Sequence, residues 1–371
     1  MFKLYFVLYL LYLSGCATRE TPLLDNTDII ETISTDDERI DRFRVSRDET
    51  PVAEAPNKTE VKPTPAPVKS KAPEKPKPPP IVLKKPSKPV PSADLPKEFP
   101  NDSPSDSTDY PEIFHSYDEL SKKVWAQAKP VYLPGEEKVF VVRYLGLNAG
   151  EVRMLTKPLA KINDRKVLHF QASMKSARYY EYIYRLDDSI ETYMDAETLV
   201  PVRYTMIQRE SGQDVDDLQL FDSSERKTFL FYKRVKNKQT KEEEKTAYTP
   251  EFFQDSFSAL AFARGLPYKI GDVYEYPIIT RTRLWLLKME VEKIEEVRVM
   301  KQKIQAYRVR AETRFPGVLE KRGDILFWFS ADDKKKLLRF RANVKIGSIE
   351  GELIEYTEGR AVPISVSPNG P

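Results

Sequence analysis

The sequence predicts a mostly β protein: an antiparallel, strongly curved sheet or open barrel with one covering helix, preceded by a disordered N-terminal linker. Three observations predict it. Beyond Tyr132 the chain is rich in Val, Ile, Tyr and Phe, and turn residues interrupt these runs, as is typical of strands. Several runs alternate between apolar and polar residues, which indicates one buried and one solvated face. Only residues 249–265 show clear helical periodicity.

Residues 1–15 form the first element, an export signal. Lys3 precedes an apolar run from Leu4 to Leu13, shorter than the roughly 20 residues that cross a bilayer. Leu13, Ser14 and Gly15 then lead to Cys16, the only cysteine. This arrangement resembles the lipobox of bacterial lipoproteins. The resemblance implies cleavage before Cys16 and lipid attachment to its thiol, and an ordinary secretory signal is the alternative.

The residue after the cysteine indicates where such a lipoprotein would reside. Ala17 occupies this position, and the resemblance implies that a chain without Asp there goes to the outer membrane. Acyl chains contribute about 0.8 kcal/mol per buried CH₂, so three chains hold a protein on a membrane without further contacts. We therefore expect a lipid anchor on the periplasmic side of the outer membrane, with that membrane as the first partner.

Two segments separate this anchor from the predicted domain. Segment 16–50 is acidic, with ten Asp or Glu against five Arg after Cys16, and its few apolar residues predict disorder. Segment 51–111 is rich in Pro and Lys, with fifteen Pro and ten Lys in residues 51–100. Such a polyproline II linker could extend on the order of 150 Å. We interpret it as a spacer; contact of its lysines with anionic cell wall and docking through a Pro-rich motif are alternatives.

A β-rich periplasmic domain is predicted over residues 112–360, followed by a disordered tail at 361–371. Its strands are clearest at Tyr180, Tyr182 and Tyr184, which alternate with polar residues. The segment 285–300 fits either a strand or a charged helix. The predicted helix begins with Thr249 and Pro250 as its N-cap and first position, carries Asp255 away from its apolar stripe, and ends at Gly265.

Short motifs recur in a fixed order across this domain: Gly135-Glu136, the turn from Gly146 to Glu151, Tyr184 to Asp188, Asp195 to Pro201, Phe221-Asp222, Asp255 to Arg264, Phe327 to Asp332, and Gly347 to Leu353. In this order they resemble the landmarks of an exported bacterial envelope family, domain of unknown function 3108. The resemblance implies the fold and the compartment but no settled activity. A departure from the family pattern is Lys334-Lys335-Lys336 before Leu337, where the family often has Arg-Xaa-Pro.

The composition excludes several kinds of chemistry. A net charge of +3 is too small to indicate a basic surface for nucleic-acid binding. Two histidines and one cysteine exclude Cys-based metal sites, so we predict no metal, no cofactor and no catalytic residue. Phosphate-binding glycine loops, nucleophile elbows and zinc-protease motifs do not occur. His169 on a probable strand is interpreted as structural.

The sequence therefore predicts a non-enzymatic binding or scaffolding domain of the cell envelope, with peptidoglycan, envelope proteins or lipid as candidate partners. An alternative is a lipid or lipoprotein carrier with an apolar trough. Another is a cell-wall hydrolase or glycan modifier that uses the pairs Asp187-Asp188, Asp216-Asp217 or Asp332-Asp333. In the carrier alternative the trough is lined by aromatic side chains that otherwise belong to the core, namely Tyr180, Tyr182, Tyr184, Trp285 and Trp328.

Overall fold

The structure is a computed structural model that describes residues 38–47, 105, 107–312, 324–343 and 347–366. The predicted signal, the lipobox residues Leu13 to Cys16 and most of the Pro/Lys run lie outside the described residues. The described chain forms one 16-stranded antiparallel sheet that does not close. The predicted fold class, a mostly β protein with an open curved sheet, is confirmed.

The described residues contain three helices and sixteen strands. The helices are α1 (Glu38–Arg42), α2 (Ile113–Trp125) and α3 (Ser258–Gly265). The strands are β1 (Val45–Ser46), β2 (Glu137–Tyr144), β3 (Leu147–Thr156), β4 (Ala160–Ile162), β5 (Arg165–Ser176), β6 (Asp187–Asp195), β7 (Pro201–Glu210), β8 (Gln213–Asp222), β9 (Lys227–Lys236), β10 (Gln239–Tyr248), β11 (Val273–Thr280), β12 (Arg283–Val299), β13 (Gln302–Glu312), β14 (Asp324–Ser330), β15 (Leu337–Asn343) and β16 (Ser348–Thr357).

The sheet has two halves that meet at its centre. Its order runs β10-β9-β8-β7-β6-β5-β3-β2-β16-β15-β14-β13-β12-β11, with β4 beside β5 and β1 beside β4. Consecutive strands are mostly neighbours, and the pairing of β2 with β16 joins the two ends of the domain sequence. The chain passes from the edge strand β10 to the other edge strand β11 through α3, so this helix crosses one face of the sheet.

Both faces of the first half of the sheet are buried. Phe170 and Met194 belong to the large core around α2 and α3. Val167, Tyr193 and Phe229 belong instead to a second core that α1 covers. Side chains alternate between faces along a strand. The sequence of a strand that is covered on both faces is therefore a nearly continuous apolar run. The helices therefore complete a three-layer arrangement in this half.

The segment 285–300, which fits two interpretations in the sequence, is a strand. Residues 285–299 lie within β12, where Met289 and Val291 are buried and Lys288 and Glu290 are exposed. Its pairing with β13 shifts register between Val291 and Lys293. Such a bulge inserts one residue and bends the strand.

The predicted start of the covering helix is wrong. Helix α3 begins at Ser258, nine residues after Thr249, because the backbone before it bonds to other groups. The Asp118 carboxylate accepts hydrogen bonds from the backbone N–H of Glu251, at 2.7 Å, and of Phe252, at 3.5 Å. Asp118 lies on α2, a helix that was not predicted from the sequence. Its buried residues Phe114, Tyr117, Ser121 and Val124 follow helical spacing.

The predicted domain boundaries 112–360 are too narrow. Residues 38–47 fall in the segment predicted to be disordered, yet Ile40 and Phe43 are buried in the second core and β1 pairs with β4. Residues 361–366 fall in the predicted tail, yet Val362, Ile364 and Val366 pack against the main core. In both cases a few apolar residues among polar ones pack on a surface of the sheet. The composition of the segment alone does not predict this packing.

Candidate ligand-binding site

Two small cavities lie on opposite sides of α3. Cavity A, of about 40 Å³, and cavity B, of about 70 Å³, share the side chain of Leu260. A water molecule needs about 10–15 Å³ by this measure, so each cavity has room for a few waters or a short alkyl chain. Cavity A is lined by Lys138, Met154, Leu155, Thr156, Phe170, Gln171, Phe257, Leu260, Ala261, Arg264 and Leu337. Cavity B is lined by Ser256, Ala259, Leu260, Ala263, Ile278, Leu287, Met289, Ala311, Ile325, Phe327 and Phe329.

A buried carboxylate fixes the N-terminus of α3. Asp255 Oδ1 accepts hydrogen bonds from the backbone N–H of Phe257 and of Ser258, each at 2.7 Å. Its other oxygen accepts from the Thr192 hydroxyl on β6. Burial raises the pKa of Asp255, and these hydrogen bonds oppose the rise. Asp255 is thus a helix cap tied to the sheet and precedes the helix, whereas the sequence predicts it within the helix, away from the apolar stripe.

A buried ion pair fixes the C-terminus of α3. Arg264 donates to both oxygens of Glu136, at 2.7 and 2.9 Å, and Glu136 is fully buried. The same guanidinium donates to the backbone carbonyls of Lys334, at 2.9 Å, and Lys335, at 3.1 Å. Burial acts to raise the pKa of Glu136, but the charges of Arg264 and Lys138 hold it below its ordinary value. Bidentate pairs of this kind are rigid, so α3 is held at both ends.

Lys138 completes the charged end of cavity A. Its ammonium group pairs with Glu136, and Tyr356 also donates to Glu136, at 3.3 Å. Burial, together with the charge of Arg264, lowers the pKa of Lys138 to about 7. Cavity A is therefore lined by apolar side chains and two basic groups, and both basic groups pair with the Glu136 carboxylate outside the lining. The three groups together carry one net positive charge when Lys138 is protonated.

The lowered pKa of Lys138 predicts a pH dependence of stability. Between pH 7 and 10.5 the unfolded chain holds the Lys138 proton and the folded chain does not. Stability rises with pH where the unfolded state binds more protons. We expect Lys138 to add a slope of about 1.4 kcal/mol per pH unit to the free energy of unfolding. Urea titrations at pH 7, 8 and 9 measure this slope. It should be lost in Lys138→Met and kept in the exposed control Lys175→Met. The same dependence of the unfolding free energy on pH in wild type and Lys138→Met would contradict the prediction.

The aromatic residues predicted to line a trough lie elsewhere. Tyr180, Tyr182 and Tyr184 are in the turn region between β5 and β6, so the strand predicted for them is wrong. Hydrogen bonds from the backbone N–H groups of residues 180, 181 and 184 to carbonyls three or four residues earlier curl this segment instead. Trp285 lies on β12, and Trp328 on β14 donates to Glu295 at 2.7 Å. None of the five lines cavity A or B.

The histidine and aspartate candidates are held in structural contacts. His169 is buried and stacks on Tyr193 with ring centroids 4.2 Å apart, with Glu191 at 3.6 Å from its Nε2. Burial lowers the pKa of His169.

Neighbouring aspartates on β8 lie in separate ion pairs. Arg209 donates to Asp216 and Arg281 donates to Asp217, each at 2.7 Å. Adjacent strand residues point to opposite faces, so the two carboxylates do not face one reacting atom.

The residues that shape the cavities were missed as site residues, although the sequence carried a signal for them. Glu136, Asp255 and Arg264 all fall within the landmarks Gly135-Glu136 and Asp255 to Arg264 of the family resemblance. The structure brings these separate landmarks together through the Glu136–Arg264 pair.

Comparison with known proteins identifies the family. Residues 139–354 match the family described as a protein of unknown function, DUF3108, and the chain belongs to this family. No curated protein matches the sequence. No helix among the described residues is both long and apolar enough to span a membrane.

Solved structures with similar shapes are distant in sequence. One is a beta-barrel-like protein of the DUF1849 family from Brucella abortus, with 12% identity, a TM-score of 0.40, and coverage of 62% of this chain and 99% of that one. Another is a provisionally assigned lipoprotein from Parabacteroides distasonis, with 10% identity, a TM-score of 0.28, and coverage of 62% and 100%.

Proposed function

We propose that this protein is a lipoprotein of the cell envelope, anchored through Cys16 on the periplasmic side of the outer membrane, whose β domain binds the alkyl chain of a small anionic amphiphile. The observation that carries the proposal is the pair of apolar cavities beside α3, one of which ends at Lys138 and Arg264. The lipobox from Leu13 to Cys16 supports the anchor. This proposal favours the carrier interpretation over a scaffold without a ligand.

The chemistry of cavity A supports this ligand class. Small-molecule sites combine an apolar lining with a few convergent polar groups. Apolar side chains such as Phe170 and Leu260 surround an alkyl chain, while Lys138 and Arg264 stand where an anionic head group would lie. Because α3 is fixed at both ends, the cavities exist before a ligand arrives, which lowers the cost of binding.

The proposal is of binding rather than catalysis. In the described part of the chain, the carboxylates of Asp216 and Asp217 are each engaged by an arginine. His169 is buried against Tyr193 and lines neither cavity. A binding protein needs only the lining and the charge that cavity A supplies.

Substitution of Leu260 tests the proposal. The indole of Leu260→Trp should fill space in both cavities and lower the affinity for octanoate about tenfold or more. A loss of about 1.4 kcal/mol of binding free energy raises the dissociation constant tenfold. The measurement is isothermal titration of the chain from residue 17 to residue 371 at pH 6, where Lys138 is protonated. Octylamine, of the same length and opposite charge, should bind more weakly than octanoate.

The control is Val273→Trp, because Val273 is exposed on the edge strand β11. Circular dichroism and urea unfolding should show that both tryptophan variants remain folded. Equal affinity of Leu260→Trp and wild type for octanoate, or equal binding of octylamine and octanoate, would count against an anionic amphiphile in these cavities.

A further inference from the structure

An exposed apolar tip stands at one end of the sheet. It consists of the β2–β3 turn with the first residue of β3, residues 145–147, and the β5–β6 connection, residues 177–186. Tyr182 is 94% exposed and Ile183 is 72% exposed, while Leu145 and Leu147 are 59% and 61% exposed. Single exposed apolar residues are ordinary, but a contiguous apolar patch marks an interaction surface.

Hydrogen bonds join the two parts of the tip into one surface. The hydroxyl of Tyr179 donates to the carbonyl of Asn148, and the N–H of Ala177 donates to the carbonyl of Ala149 at 2.9 Å. Within the connection, the N–H of Tyr184 donates to the carbonyl of Tyr180 at 2.8 Å. The apolar side chains are therefore presented by an ordered backbone whose polar groups are largely satisfied.

The tip also carries positive charge without a neutralising partner. Arg178 and Arg185 are exposed, and no carboxylate in the described part of the chain pairs with either guanidinium. Glu181 is the one acidic side chain in the connection between Ala177 and Leu186. Guanidinium groups donate paired hydrogen bonds to phosphate.

We infer that the tip binds the surface of an anionic phospholipid bilayer, with Tyr182, Ile183, Leu145 and Leu147 entering the head-group region and Arg178 and Arg185 meeting phosphates. Tyrosine and aliphatic side chains flanked by arginine suit this region, where amphipathic rings and cations are both stabilised. A satisfied backbone suits it as well, because an unpaired polar group would be costly to move out of water.

The shape and place of the tip separate it from the proposed ligand site. It is built from two projecting turns rather than a cavity. Cavity A meets β3 at Met154, seven residues from Leu147, a distance of about 23 Å along a strand. Membrane binding by the tip does not depend on an amphiphile in cavity A, so either proposal can fail without the other.

Vesicle co-sedimentation of the chain from residue 17 to residue 371 tests this inference. We expect binding to vesicles of phosphatidylcholine with about one third phosphatidylglycerol and weaker binding to phosphatidylcholine alone. Tyr182→Ser with Ile183→Ser should lower the partition coefficient about tenfold or more. Arg178→Gln with Arg185→Gln should remove most of the preference for phosphatidylglycerol.

The matched control is Ile270→Ser, because Ile270 is 62% exposed away from the tip and should leave binding unchanged. A second measurement places tryptophan at the apex: Ile183→Trp should show a blue shift of fluorescence when anionic vesicles are added. The inference is overturned if wild type does not bind anionic vesicles, if Ile270→Ser reduces binding as much as the tip variant, or if the tryptophan emission stays unshifted.

Discussion

Replacing Arg264 with methionine is expected to lower the free energy of unfolding by about 3–5 kcal/mol, because it leaves the buried Glu136 carboxylate without its bidentate partner. Lys138 alone cannot substitute for it, since its ammonium group pairs with a single oxygen of Glu136, whereas the planar guanidinium donates to both. The carbonyls of Lys334 and Lys335 lose their donor as well. Urea unfolding at pH 7.5 measures this change.

A double-mutant cycle separates the ion pair from packing. Glu136→Gln with Arg264→Met should recover most of the stability lost by Arg264→Met, because the buried carboxylate is gone and Lys138, whose pKa burial lowers, can lose its proton. The matched control is Arg339→Met, whose partner Glu352 lies at 3.3 Å on the half-exposed surface of the sheet, where a pair contributes about 0–1 kcal/mol. An Arg264→Met variant as stable as Arg339→Met would show that the pair does not hold α3.

The strands were the most predictable part of this protein, because their signal is local. Alternation of polar and apolar residues on β12 follows directly from burial of one face. The tyrosine run from Tyr180 to Tyr184 shows the limit of this rule, since it alternates in the same way and yet curls into a turn. Its backbone N–H groups at residues 180, 181 and 184 donate to carbonyls three or four residues earlier instead of to a neighbouring strand.

The site was less predictable, because distant residues create it. The first turn of α3 depends on Asp255 and Thr192, which are 63 positions apart. Its last turn depends on Glu136, which is 128 positions from Arg264. Periodicity locates an apolar stripe but does not show which carboxylate pairs with which arginine. The family landmarks marked both segments without indicating that they meet.

The docked segment 38–46 changes the interpretation of the Pro/Lys run. From its composition, that run is predicted to be the spacer between anchor and domain. In the structure, Val45 and Ser46 pair with β4, and Ser105 donates to the carbonyl of Thr282. The run between these points therefore begins and ends on the same domain. In the proposed lipid-anchored form, the distance from Cys16 to the domain would be limited instead by the roughly 20 residues before α1, about 70 Å when extended.

This geometry depends on Phe43, which is 3% exposed in the core that α1 covers. Phe43→Ala should weaken docking of the segment by about 3–5 kcal/mol, the usual effect of emptying a buried phenylalanine site. The carbonyl of Phe43 also accepts from the buried Arg203, at 3.3 Å. Release of the segment would leave this guanidinium and the side chains of Phe229 and Phe231 facing water.

Limited trypsin digestion measures the docking, because Arg39, Arg42 and Arg44 are cleavage sites within or beside α1. We expect these bonds to be resistant in wild type and at least tenfold more rapidly cut in Phe43→Ala, since cleavage follows the population of the opened segment. Asp41→Ala removes only an exposed pair with Arg44 and is the matched control. Equal cleavage of wild type and Phe43→Ala would mean that the segment is not held, and the Pro/Lys run would again be free to act as the spacer.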